Sequence, residues 1–474
     1  MRARLLSLAL LLGALPLSGT GLADPPPPPA KPPSSAAARV DLPFERFVLP
    51  NGLEVLVHED HRTPIVAVNI FYHVGSKDDP AGKNGFAHLF EHVMFNGSRN
   101  VPSGMFEKYL ARAGESASNG TTDVDRTAYH ETLPARELPL ALWLESDRMG
   151  FLLDRLDQAS FEREREVVKN ERRQRYDNEP YGLVVPAAIR GTLYPEGHPY
   201  HLPAMGTPEQ LDTATLDDVR AFFKRYYVPN NATLVIAGDV ARGRARELVE
   251  KYFGRIPRGA DPGIKKTPVP VTLPGELRLD IEADVQLPKL YVAWPSVPRF
   301  APNDVELDML SMILSQGKSS RLHKRLVYDL QIAQSVSADE DGALLAGVFY
   351  VSVLLKKGAS PELALKEIDA ELARLRATAP SVEELDRARA GVVPDTLFGI
   401  ESETIRAAVL NNHNQWAGDP GYLGKYLGRI EAMKGADLQA AARAILSPDR
   451  RIVAVVTPRA GAPKGGRVVT GSKP

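Results

Sequence analysis

The chain has no cysteine, which excludes a disulfide framework, a thiolate metal cluster and a cysteine nucleophile. Any metal site must be built from histidine and carboxylate. Net charge is also missing: 58 basic side chains stand against 59 acidic ones, a formal charge of −1. A dedicated nucleic-acid binder needs a basic surface to displace phosphate counterions, so that class is excluded. Beyond residue 23 no stretch is long and apolar enough to span a membrane. What is present is globular: 43% hydrophobic and 25% charged residues in a chain of 474, enough for more than one core.

The first residues read as an address. Arg2 and Arg4 precede an uncharged apolar run from Leu5 to Leu17, and small residues follow to Ala23. These are the parts of a secretory signal over residues 1–23, which predicts an exported, most simply periplasmic protein. Retention as a membrane anchor is the alternative, but Pro16, Ser18, Gly19 and Gly21 thin the apolar run. Residues 24–40 are a proline-rich linker with nothing to bury.

From Asp41 onward strands alternate with helices. Phe44–Leu49 and Leu53–His58 alternate apolar and polar residues around the turn Pro50-Asn51-Gly52, a hairpin signal. Ile65–Tyr72 and Ala232–Gly238 read as strands. Phe86–Phe95, Met105–Arg112, Leu138–Leu153, Phe161–Tyr176 and Leu216–Tyr227 carry helical spacing. Residues 258–274, rich in proline, glycine and lysine, form a linker between two parts, 41–257 and 275–458, with 459–474 as a flexible tail. The second part echoes the first. Leu290-Tyr291 repeats Phe71-Tyr72, and the helix–proline–strand unit at Pro229 recurs at Pro448, both displaced by 219 residues. The expectation is an α+β protein of two similar domains with helices packed on mixed sheets.

One segment carries chemistry: His88-Leu89-Phe90-Glu91-His92. Residues four apart on a helix share a face, so both imidazoles can meet one cation, and Glu91 projects beside them as a general base toward water. This is the inverted form of the His-Glu-x-x-His zinc-peptidase motif. Phe86, Leu89, Phe90, Val93 and Phe95 bury the helix and argue against two merely solvated histidines. A catalytic zinc needs a third protein ligand. Glu164 and Glu171, seven residues apart near Val167 and Val168, are candidates, but a solvated helix laced with Glu–Arg pairs reads equally well from spacing.

Taken together, His88–His92, Glu164-Arg165-Glu166-Val167-Val168 through Glu171, Asn119 to Tyr129, Gly197 to Tyr200, Tyr227 to Asn231 and Ser319 to Leu322 resemble the pitrilysin or insulinase family. The likeness is strongest to its two-domain bacterial members, which are similar to mitochondrial processing peptidase, and it runs from about Asp41 to Val456. It implies one Zn2+ per chain held by His88, His92 and Glu171, with Glu91 as general base and Glu164 orienting a ligand or the water. It implies two homologous α+β domains of mixed, largely antiparallel sheet in a clamshell that takes unfolded peptides. Asn119, Gly120 and Thr121 would then line the cleft as an edge strand that pairs with substrate.

Other features fall away. His198 and His201 sit in a loop with no helix to fix them as ligands, and Gly317-Lys318-Ser319 lacks the earlier glycine of a phosphate loop, Met312 standing there. A displacement of 219 puts Leu307–Ser311 where His88–His92 stand, so the second half carries no zinc site. One departure from the family stands out. Its active members place an arginine, and seven residues later a tyrosine, after the Ser-Arg-Leu segment of the second half; here Val327 and Gln334 fill those positions. The reading is an exported zinc endopeptidase; the departure has two accounts, a register displaced by a residue or two, or a homologous zinc-free subunit that supplies the Arg–Tyr pair. A non-hydrolytic peptide-binding or assembly subunit of the same fold is the alternative.

Overall fold

The computed structural model describes residues 40–471; the expected signal and nearly all of the proline-rich linker lie outside them. Two six-stranded sheets dominate. The first holds β1 (Glu45–Val48), β2 (Glu54–Glu59), β3 (Ile65–Tyr72), β4 (Ala117–Thr122), β5 (Thr127–Pro134) and β6 (Ala232–Gly238), in the order β1-β2-β6-β3-β5-β4. The second holds β7 (Leu277–Ala283), β8 (Lys289–Ser296), β9 (Ala333–Gly342), β10 (Gly347–Leu355), β11 (Ile452–Pro458) and β12 (Arg467–Gly471), in the order β12-β7-β11-β8-β10-β9. Five positions match strand for strand. Each sheet has one parallel pair, β2 with β6 and β7 with β11, and is otherwise antiparallel. The two-domain α+β architecture is as expected. Its offset is not a constant 219: β6 and β11 start 220 residues apart, β3 and β8 start 224 apart. Loops between matched elements absorb such insertions at little cost.

Each half packs its own helices on one face of its sheet. In the first, Val66, Val68 and Ile70 of β3 meet Leu89, Phe90 and Val93 of the helix Phe86–Val93, all fully buried. In the second, Leu290, Val292 and Trp294 meet Leu307, Leu310 and Leu314 of the helix Asp304–Ser315, the counterpart of the His88 helix. The opposite faces are covered by exchange. Val184, Ile189, Leu193 and Tyr194 of the first half pack against Leu279, Ile281, Ile452 and Ala454 of the second sheet. In return the helix Glu403–Ala417 lies across β3 and β6. Its seam is polar: Glu403 accepts from Thr63 Oγ1 (2.7 Å) and Asn411 Nδ2 donates to Asn69 Oδ1 (2.7 Å). The two hairpin tips also meet, because buried Asp125 accepts from the Leu344 N–H (2.7 Å) and the Tyr200 hydroxyl (2.6 Å).

Two expectations need correction. Residues 459–471 are not a free tail. Arg467–Gly471 pairs antiparallel with β7 and closes an edge that would otherwise present unpaired backbone groups. Val167 is 42% exposed while Val168 is buried, so only one of the two valines shares the core. Linker residues 258–274 carry no regular element but are fixed, with the Val269 N–H bonded to the Leu345 carbonyl (2.9 Å).

Candidate metal centre

The His88 helix begins where Asp79, six residues before its first free amide, accepts from the N–H groups of Gly85 (2.8 Å), Phe86 (3.3 Å) and Ala87 (2.8 Å). These amides are orphaned by the helix geometry, and the carboxylate satisfies them while meeting the positive end of the helix dipole. Phe90 lies 4.2 Å from the Tyr227 ring, centroid to centroid, and anchors the inner face. The second helix, Gln158–Arg172, starts with Asp157 capping the Ser160 N–H (2.8 Å) and packs alongside the first.

Five side chains, His88, Glu91, His92, Glu164 and Glu171, converge between these helices. Glu171 Oε2 lies 2.9 Å from His92 Nε2 and 3.7 Å from His88 Nε2. His88, Glu91 and His92 each offer a ligand atom within 4.8 Å of the others. Glu164 Oε2 is 4.0 Å from the far nitrogen of His92, Nδ1. Arg175 Nε holds the other oxygen of Glu171 at 2.8 Å, so a single oxygen faces the imidazoles. The Thr122 hydroxyl donates to Glu91 Oε2 at 2.6 Å.

Electrostatics follow from burial and pairing. Burial, helped by the charge of His92, pushes His88 down to about 4, so it stands neutral with a free lone pair. Burial opposes charge on His92, but the bond to Glu171 and the charges of Glu91, Glu171 and Glu164 outweigh it and raise that group. The same bond from His92 lowers Glu171. Burial raises Glu91 against the lowering bond from Thr122. The donor set suits zinc: two neutral-capable imidazoles and one carboxylate. A tetrahedral ion with bonds of about 2.0–2.2 Å sets its donors roughly 3.4 Å apart. The separations of 2.9 and 3.7 Å straddle that value.

Strand β4 is an edge strand, as expected. Asp123 N–H closes the hairpin onto the Arg126 carbonyl (3.0 Å), which fixes the alternation of ladder bonds. Asn119 and Thr121 thereby bond to β5, while the N–H and C=O groups of Ser118, Gly120 and Thr122 face outward. Gly120 leaves Glu91 its room: a Cβ there would stand 3.0 Å from Glu91 Cγ and 3.1 Å from Glu91 Oε1 and crowd it. His198 and His201 stay away from the metal residues. His198 stacks on Tyr194 and His201 bonds to the Tyr194 carbonyl (2.6 Å). Val327 packs on the second core, Gln334 is exposed at the start of β9, and Arg325 is engaged by Glu367 (2.8 Å).

Sequence reasoning missed three supports: Asp79, Arg175, and a buried pair beneath the site. Arg148 Nε donates to Glu145 (2.9 Å) and its guanidinium lies 4.1 Å over the Tyr129 ring, whose hydroxyl reaches the Glu91 carbonyl (3.4 Å). The one available signal was the polar run Glu145-Ser146-Asp147-Arg148 in a helix that is otherwise mostly apolar.

The family model described as Insulinase (Peptidase family M16) matches residues 54–206, and that described as Peptidase M16 inactive domain matches residues 213–392. The zinc protease PqqE of Helicobacter pylori is 31% identical over 368 residues, covering 76% of this chain and 81% of that one. The crystal structure of a protease from Helicobacter pylori superposes with a TM-score of 0.83 at 28% identity, covering 88% of this chain and 100% of the other. The beta subunit of the mitochondrial-processing peptidase of Saccharomyces cerevisiae is 28% identical over 48% of this chain and 49% of its own. With both family models placed in order and a relative of this identity aligned over most of its length, the chain belongs to peptidase family M16, the insulinase family.

Proposed function

We propose that the chain is a zinc-dependent endopeptidase acting on unfolded peptides, with one zinc held by His88, His92 and Glu171. The observation that carries this reading is the single Glu171 oxygen placed between two Nε2 atoms, with a second carboxylate, Glu91, beside them. When bound, zinc supplies Lewis acidity toward a carbonyl oxygen and lowers the pKa of water. Glu91 takes a proton from the attacking water and returns it to the leaving amine; its raised pKa brings it closer to neutral pH, where both transfers are feasible. Thr122 keeps one Glu91 oxygen occupied and so aims the other. Glu164 steadies His92 from the side away from Glu171.

Substrate binds as an added strand along β4, using the outward backbone groups of Ser118, Gly120 and Thr122, with Asn119 and Thr121 as side-chain neighbours. Backbone pairing reads no side chain, which suits unfolded peptides of varied sequence. The N-terminal signal sends the protein to the periplasm. Among the described residues no helix is long and apolar enough to cross a membrane. A second reading, a peptide-binding subunit without hydrolysis, draws on one observation: Val327 and Gln334 leave the second half without the oxyanion donors of its relatives.

The test is metal content and cleavage of an unstructured peptide before and after chelation. About one zinc per chain is expected, with activity lost on chelation and restored by zinc. Full activity in metal-free protein overturns the mechanism.

A further inference from the structure

The first two proposed ligands and the third are anchored differently. His88 and His92 sit mid-helix on an element held within the first half and capped by Asp79. Glu171 sits in the last regular turn of its helix, directly before the widened turn that continues it, so its position depends on that next stretch of chain. No left-handed cap ends this helix. It runs on through a widened turn, Arg173–Asp177, closed by the Asn178 N–H on the Arg173 carbonyl (2.8 Å). Arg172, 8% exposed, clamps both oxygens of Asp177 (2.8 Å each) and bonds the Gly206 carbonyl through Nε (2.8 Å).

The far side of that turn is held by residues nearly 300 positions later in the chain. The Gly465 N–H donates to the Asp177 carbonyl (3.0 Å), the Tyr181 N–H to the Lys464 carbonyl (3.0 Å) and the Leu183 N–H to the Gly465 carbonyl (2.9 Å). The contact is tight: a Cβ on Gly465 would stand 2.4 Å from the Tyr176 carbonyl oxygen and 3.1 Å from Leu183 Cγ. From there the chain enters β12, where Val468 pairs with Ile281 and Thr470 Oγ1 donates to Asp280 (2.5 Å). A continuous backbone path therefore joins the outer edge of the second sheet to the turn that ends the Glu171 helix.

We propose that the C-terminal strap, residues 463–471, positions Glu171 for the metal, with Gly465 as the positioning residue. This rests on the zinc reading above. The strap touches neither substrate nor metal; it acts by fixing the widened turn, so that Glu171 and its partner Arg175 keep their place against His88 and His92. Residues that hold a ligand from behind typically contribute about 10- to 100-fold in metal affinity.

Two measurements test it. In the full chain, Gly465→Ala should weaken zinc binding about tenfold, read by competition with a chromophoric chelator. It should change little in a Glu171→Ala background, because there is no third ligand left to misplace. Equal loss in both backgrounds, or unchanged affinity in folded Gly465→Ala protein, overturns the proposal. The second measurement needs no variant. Coupling is reciprocal, so adding zinc to metal-stripped wild-type protein should slow amide hydrogen exchange at Tyr181, Leu183 and Gly465 as well as along the His88 helix. Protection of the His88 helix alone sinks the strap while sparing the metal site. Protection of neither sinks the metal reading, and the strap with it.

Discussion

Glu91 and Glu171 are both glutamates within reach of His92, yet their surroundings separate them. Glu171 is lowered by the bond from His92 and kept to one free oxygen by Arg175. Glu91 is raised by burial and meets a hydroxyl instead of a cation. Environments that push two carboxyl groups apart assign one to charge and the other to proton transfer. Glu91→Gln, which keeps shape and removes the base, should leave zinc bound while turnover falls about 10²-fold or more. His88→Ala or Glu171→Ala should instead lose tight metal binding, leaving only the weak affinity of the two remaining ligands. Zinc content and turnover measured on the same preparations check this; near-wild-type turnover in Glu91→Gln removes Glu91 from the chemistry.

At the scale of elements, legibility in the sequence tracks how local the physics is. The His88 helix is visible from its apolar residues at helical spacing, and β3 and β6 from short apolar runs of strand length that are buried almost throughout. Glu171 is not singled out by spacing, since its helix carries several other glutamates; the resemblance points to it, and the geometry then sets it beside His92. Asp79 leaves no sequence signature at all. A capping residue normally sits at the helix boundary, whereas here a loop folds a carboxylate back over three amides. The exchange of covering segments between halves, and the return of β12, depend on contacts hundreds of residues apart that no local window contains. Because Asp79 supports the element that carries both histidines, Asp79→Ala should cost about 1–3 kcal/mol in urea unfolding. It should also weaken zinc binding, where a change at a solvated loop aspartate would do neither. Wild-type unfolding midpoint and zinc affinity in that variant would show that the helix starts without it.

Across the whole molecule the duplicated halves have diverged in chemistry but not in topology. The helix equivalent to the His88 helix keeps its buried face, Leu307, Leu310 and Leu314, and carries neither histidine of the candidate ligand set. The halves are tied by two exchanged segments and by the Asp125 junction, so the second half is a fixed wall and contributes whatever its surface offers. In the register of the family's Arg–Tyr pair it offers Val327, turned to its own core, and Gln334 at the start of an edge strand. Arg325 is already paired with Glu367, and Tyr328, 74% exposed, has no hydrogen bond among the described residues that would aim it at the metal ligands. A tetrahedral oxyanion needs donors aimed at it before it forms, and removing one such donor costs about 10²- to 10³-fold in turnover. A zinc site complete in ligands and base but without that donor should bind metal normally and cut slowly. A homologous zinc-free subunit bearing the pair would restore the rate across an interface. The expected result is therefore a chain that, alone, carries zinc and cleaves an unstructured peptide poorly, and that gains about 10²-fold or more if a homologous zinc-free subunit bearing the pair is added. Turnover measured on a strictly monomeric preparation decides it: full activity there means that donors within this chain suffice and that no second subunit is required.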